Sequence, residues 1–304
     1  MENGKRKMEN VGIGNFRFLT FFIQYLFSIL LLAACCLPPT VCAQKIAVLA
    51  PDKNDASRIF AEKLEDAFSK NVKILDVSLS DAAFRAQTFE KPFNLTLTEA
   101  KNIGAAIGAD FFLLVKAENL RRASLAKGDF YESYAAVFTV SARTGRLVLW
   151  KLNSFEAEKK ELAEGKLFDS VGALATEISD KIKIVNKEEF GEKSTLNFER
   201  LPEVNSPEAK NFRPPLPYKR LRPVYTMLAN LYSIEATVDV EIDVDETGKI
   251  LKIETVRWAG FGLDESVAEN IKKMNWRPAE RSGKTLPIRV LLRYNFKKRE
   301  AEQP

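Results

Sequence analysis

Residues 237–256, TVDVEIDVDETGKILKIETV, decide how the carboxy-terminal part of the chain folds. Val238, Val240, Ile242 and Val244 alternate with Thr237, Asp239, Glu241 and Asp243. Successive side chains of a strand point to opposite faces, so this stretch reads as a strand with one buried and one wet face. Asp245, Glu246, Thr247 and Gly248 turn the chain, and residues 250–256 return as the second strand of a hairpin. Gly248 supplies a backbone angle that other residues resist. A helix from about Asp264 places Val267, Ile271 and Met274 inward and ends at Trp276 and Pro278. After a turn at Ser282, Gly283 and Lys284, a third strand sets Leu286, Ile288, Val290, Leu292, Tyr294 and Phe296 on one face. Pro287, Arg289, Leu291, Arg293 and Asn295 take the other face. Pro287 has no N–H to give to a ladder, which suits the start of an edge strand. Residues 223–298 thus read as a small ββαβ domain, with a short tail at 299–304.

Upstream, residues 186–222 lose periodicity and gather Pro202, Pro207, Pro214, Pro215 and Pro217 among many charges, with Pro223 just beyond. This is linker composition. Proline-dominated chain extends at about 3.1 Å per residue, so the segment is expected to hold two domains apart. Residues 44–185 read as an αβ sheet-and-helix domain. Residues 45–50 form a buried strand, and a helix capped by Asp55 sets Phe60, Leu64 and Phe68 on one face. Residues 72–77 form a second strand. A helix from about Thr98 buries Ala100, Ile103 and Ile107, ends at a left-handed Gly108, and leads to a strand at 111–115. Residues 134–142 and 147–149 flank a hairpin at Arg143, Thr144, Gly145 and Arg146, and Phe168, Val171, Leu174, Ala175, Ile178 and Ile182 share a final helix. Asn94, Leu95 and Thr96 make a glycosylation-type triplet that reads as a loop before a helix. The expected fold class is two-domain, α/β in the first domain and α+β overall, preceded by a hydrophobic helix.

That helix falls in the region 1–43. Lys5, Arg6, Lys7 and Arg17 precede an uncharged stretch at 18–37, whose length of about 20 residues matches a bilayer core. The positive-inside rule places everything after it across the membrane. Three fates stay open: a retained inner-membrane anchor with periplasmic domains behind it, cleavage after Val41, Cys42 and Ala43 to release a periplasmic protein, or lipidation of Cys35 in a lipobox-like Leu32-Ala33-Ala34-Cys35.

Composition closes several routes. The chain of 304 residues has no histidine and three cysteines, Cys35, Cys36 and Cys42, all in this amino-terminal region. Neither a Ser-His-Asp nor a Cys-His arrangement can be assembled, nor a His and Cys metal site. The carboxylate pairs Asp264 with Glu265 and Glu62 with Asp66 read as helix charges and solvated faces. We expect no catalytic, cofactor or metal residues, and no enzyme. The charge of +5 comes from 46 basic and 41 acidic residues mixed along the chain, without the basic stripe that nucleic acid requires. With no phosphate-loop motif either, Gly104 and Gly108 read as helix packing and capping.

The carboxy-terminal region resembles the TonB C-terminal domain. Tyr225-Thr226-Met227-Leu228-Ala229, Ile234-Glu235-Ala236-Thr237-Val238, Asp245-Glu246-Thr247-Gly248, Leu263-Asp264-Glu265, Trp276-Arg277-Pro278-Ala279 and Gly283-Lys284 fall in that family's order and spacing. The family commonly has Tyr-Pro where this chain has Tyr225-Thr226, and Glu-Gly-Thr where it has Glu235-Ala236-Thr237. The resemblance implies a domain that grips an extended, TonB-box-like segment of an outer-membrane receptor by strand addition on an edge, with an inner-membrane motor complex acting on the anchor. The residues expected to take the partner strand are Ile288, Arg289, Val290, Leu291, Leu292, Arg293 and Tyr294, and Tyr225, Gly248, Trp276 and Pro278 mark the motif. A homodimer is also compatible. Energy-coupled anchors of the family carry a serine and a histidine, whereas residues 18–37 hold Ser28 and no histidine. The alternative implied is a non-energised periplasmic or lipid-anchored docking protein. In the first domain, residues 45–49, residues 103–110 and the Thr144-Gly145 hairpin resemble the CsgG and TolB amino-terminal type of envelope domain, in which the fold is a docking unit.

Overall fold

The first sheet grows from the apolar run at its amino-terminal end. β1 (Lys45–Leu49) pairs in parallel with β2 (Lys73–Ile74) and β3 (Phe111–Ser124). β3 then runs antiparallel to β4 (Gly128–Ser141), and β4 to β5 (Leu147–Ala157). The order is β2-β1-β3-β4-β5. The helices here are, in chain order, α1 (Asp55–Ala67), α2 (Val77–Arg85), α3 (Leu97–Ile107), α4 (Lys160–Asp169) and α5 (Val171–Gly191). Strand alternation separates two cores. Ile46, Val48, Phe111 and Leu113 point to α1, α4 and α5, where Phe60, Leu64, Leu174 and Ile178 meet them. Ala47, Leu49, Phe112, Leu114 and Phe138 point to the other face, where Phe84 of α2 and Ile103 of α3 pack.

This computed structural model describes residues 44–52, 54–68, 72–124, 128–191 and 198–298. The expected hydrophobic helix at 18–37, Cys35 and the 299–304 tail lie outside the described residues. Among those described, no helix is long and apolar enough to cross a membrane.

The second sheet has the order β10-β9-β14-β6. β9 (Ala236–Val244) is central, between β10 (Ile250–Arg257) and β14 (Ile288–Phe296), and β6 (Glu199–Arg200) adds to the far side of β14. α6 (Met227–Leu231) precedes β9, and α7 (Leu263–Lys272) supplies Leu263, Val267 and Ile271 to the core. Gly248 sits at φ 89, and a Cβ there would lie 2.0 Å from the Trp276 carbonyl oxygen. The tight turn and the approach of the chain leaving α7 both require glycine at that position.

Several expectations are corrected. The second strand is only β2, because Asp76 caps a helix at once, its side chain accepting from Leu79 N at 2.9 Å. The cap of α1 is Asn54, which accepts from Ser57 N, and not Asp55. β3, β4 and β5 run well past the apolar stretches that announced them. The single final helix is two, divided at Ser170. The third carboxy-terminal strand breaks at Pro287, between β13 (Lys284–Leu286) and β14. The proline-rich stretch does not hold the domains apart. Besides β6, it pairs β7 (Phe212–Arg213) with β12 (Ala279–Arg281), and β8 (Leu216–Pro217) with β11 (Trp276–Arg277). Laid along the second sheet, it leaves the domains free to share the core that contains Phe138, Trp258 and Phe261.

Candidate docking site

β9 takes one side of β14 over its whole length, from Ile288 opposite Val244 to Phe296 opposite Ala236. The other side is taken only at Ile288 and Arg289, by Glu199 and Arg200. Val290, Leu291, Leu292, Arg293 and Tyr294 therefore present backbone groups with no strand partner on that side, among the described residues. A cleft of about 340 Å³ runs beside them, walled by Pro215, Pro217, Leu221 and Trp276. Proline lacks the donor needed to zip onto a neighbouring strand, so Pro215 and Pro217 line the edge without pairing to it.

The side chains of β14 serve the domain more than a partner. Ile288 and Val290 are buried, Leu292 and Tyr294 are half-buried, and Leu291 is exposed. Arg289 forks onto Asp243 at 2.6 and 2.8 Å, and Arg293 onto Asp239 at 2.7 and 2.9 Å. These bonds hold both arginines further into their charged form. The expected wet face of β9 is thus polar but covered: Asp239 and Asp243 are both 3% exposed. Buried carboxylates need such paired donors, and each fork ties β14 to β9.

The motif residues brace the ends of this arrangement. The Tyr225 ring stacks on Phe296, and its hydroxyl lies 3.0 Å from the Ala229 carbonyl and 2.9 Å from that of Ile234, sharing its proton between them. Thr226 caps α6 and donates to the Phe261 carbonyl at 2.6 Å, a bond that proline at this position cannot make. Trp276 and Pro278 pack against the Gly248 turn.

Sequence reasoning missed the seam that fixes this domain to the first. Trp258, Ala259, Gly260 and Phe261 enter the face of the first sheet, with ring centroids 5.6 Å apart for Trp258 and Phe138 and 4.8 Å for Phe261 and Trp150. Trp258 donates its indole N–H to the Gly145 carbonyl at 3.2 Å. Asp264 holds the loop by accepting from the amides of Ala259 and Gly260 at 3.0 and 2.7 Å, and burial pushes its carboxyl up to about 7 against those two donors. Asn94, read as a loop residue, is 4% exposed; it accepts from Thr237 N and donates to the carbonyls of Thr237 and Trp258. Glu132 accepts from Ser154, Tyr232 and Arg122. Burial raises its pKa, but those bonds outweigh burial and leave it below the ordinary range. Burial and then the Glu132 bond push Tyr232 up to about 12, so it stays a donor. The one signal available was the glycine spacing of residues 260–262 between aromatic residues.

A ββαβ sheet with an open edge beyond Arg289 is the class of fold that docks extended peptides. Residues 222–297 match the family described as Gram-negative bacterial TonB protein C-terminal, and the chain carries a TonB C-terminal-like domain. Domains of this family are non-catalytic modules of protein–protein interaction. No curated protein matches the chain. Similar solved structures include the TonB carboxy-terminal domain of Pseudomonas aeruginosa, 21% identical, covering 33% of this chain and 95% of that one with a TM-score of 0.26. They also include lipoprotein GNA1162 from Neisseria meningitidis, 14% identical, covering 45% of this chain and 99% of that one with a TM-score of 0.32. A third is the hypothetical protein CT253 from Chlamydia trachomatis, 10% identical, covering 45% and 98% with a TM-score of 0.31. The expected inner-membrane anchor is corrected, and with it energy transduction and transmembrane transport. Among the described residues no helix is long and apolar enough to cross a membrane, and the segment at 18–37 lies outside them.

Proposed function

We propose that this protein is a non-energised docking protein that takes an extended segment of a protein partner, of the kind an outer-membrane receptor offers, on the outer edge of β14. The observation that supports the reading is the one-sided pairing of β14 between Val290 and Tyr294, beside a cleft walled in part by Pro215 and Pro217. About four to six backbone bonds, each contributing about 0.5–1.5 kcal/mol net, hold such a segment reversibly. The pinned proline-rich stretch fits docking better than force transmission, since it adds no reach between the domains.

Peptide chemistry tests the grip without disturbing the fold. A receptor-type peptide is titrated into the full chain as two isomers, N-methylated at alternate residues in opposite frames. Backbone pairing predicts that one frame abolishes binding and the other preserves it, with slowed amide exchange at 290–294. Equal loss in both frames, or no binding by the unmodified peptide, counts against the proposal.

A further inference from the structure

β10 is the other free edge of the second sheet, and the first domain already shows a backbone seated on it. Thr96 forms an antiparallel bridge to Arg257 at the last residue of β10, and Trp258 N donates to the Leu95 carbonyl at 3.3 Å. The chain then turns into α3, so residues 250–256 have no strand partner on that side, among the described residues. Along the first half of this open part, residues 250–253, runs a cleft of about 770 Å³ that reaches the carboxy-terminal end of α7. Ile250, Ile253, Met274 and Trp276 line it with Lys249, Lys252 and Lys272, and no carboxylate does. Lys252 is held by Glu254 at 2.6 Å. Lys249 and Lys272 are exposed and form no salt bridge among the described residues. Trp276, 4% exposed, stands between this cleft and the one beside β14 and lines both. An unpaired backbone edge and two exposed lysines without a salt bridge converge on one cleft, and all of them except the edge carbonyls call for an acceptor-rich occupant.

We propose that the β10 edge takes an acidic, extended segment of a protein partner, its backbone pairing with residues 250–253 and its carboxylates meeting Lys249 and Lys272. This site is separate from the β14 edge, and the two together let one sheet hold two segments at once.

The probe is a fluorescein-labelled peptide of about eight residues alternating glutamate and valine, so that all carboxylates lie on one face of the added strand. It is titrated into the full chain at low ionic strength, with amide exchange read on both edges. Binding should slow exchange at 250–253 and weaken as salt is raised. The double variant K249E/K272E should bind about tenfold or more weakly, while K273E, which reverses a neighbouring exposed lysine outside the cleft, should bind as the wild type does. Protection at 290–294 in place of 250–253 overturns the proposal while leaving the β14 reading standing. Absence of binding overturns it, as does unchanged affinity in the double variant; in that last case the lysines only keep an open edge from pairing with itself.

Discussion

Gly260 shows how much of the seam rests on one missing methyl group. Its φ is +70, and a Cβ there would lie 2.5 Å from Trp150 Cδ1 and 2.9 Å from Phe138 Cε1. Both obstacles are rings packed against Phe261, and Phe138 also against Trp258, so neither can swing aside. Gly260→Ala combines overpacking, which costs about 1–3 kcal/mol, with a left-handed backbone costing about 1 kcal/mol more. We expect unfolding in urea to show a loss of about 2–4 kcal/mol. Gly172 lies in α5 with nothing within 4 Å of an added Cβ. Gly172→Ala is therefore the control, expected to gain up to about 1 kcal/mol from helix propensity. If the two variants lose stability alike, the approach at Gly260 is not what constrains the loop.

Among the elements, β14 depends on its charged forks to stay in register with β9. Asp243 is buried and bound twice by Arg289, whose next carboxylate, Glu241, is 3.9 Å away. Asp243→Asn keeps the shape but removes the charge. Since Arg289 is partly solvated, the expected cost is about 2 kcal/mol, below the range for a fully buried pair. A urea titration of the variant measures it, and amide exchange should quicken in β14 before β10. The hairpin of β9 and β10 was legible because period-two alternation and the turn at Gly248 are local signals. α2 was not, because Leu75 and the capping Asp76 follow the short apolar stretch so closely that strand and helix overlap in sequence. The outer edge of β14 was visible through Pro287. Its partial cover was not, since Glu199 and Arg200 carry no strand signature and are brought to it by the fold. Asn94 escaped for the same reason: its partners lie 143 and 164 residues away.

At the scale of the whole molecule, the shared core makes the two domains one folding unit. Trp150 in the first sheet and Trp276 in the second domain are expected to report a single unfolding transition. Glu132 and Tyr232 make that unit sensitive to acid. A carboxylate whose folded pKa is depressed contributes stability above its unfolded pKa, and that contribution is lost as the pH falls through the folded value. Acidification from about pH 5 to pH 3 should therefore lower the wild-type urea midpoint more steeply than that of Glu132→Gln, which carries no proton to take up. Tyr232→Phe should flatten the slope too, because it removes one of the donors that depress Glu132 while leaving Arg122 and Ser154 in place. The two substitutions act on one bond between the domains, so the double variant should show no flattening beyond that of Glu132→Gln. Identical slopes in all four proteins would mean that the seam at Tyr232 takes up no proton on opening and that the acid response arises elsewhere in the fold.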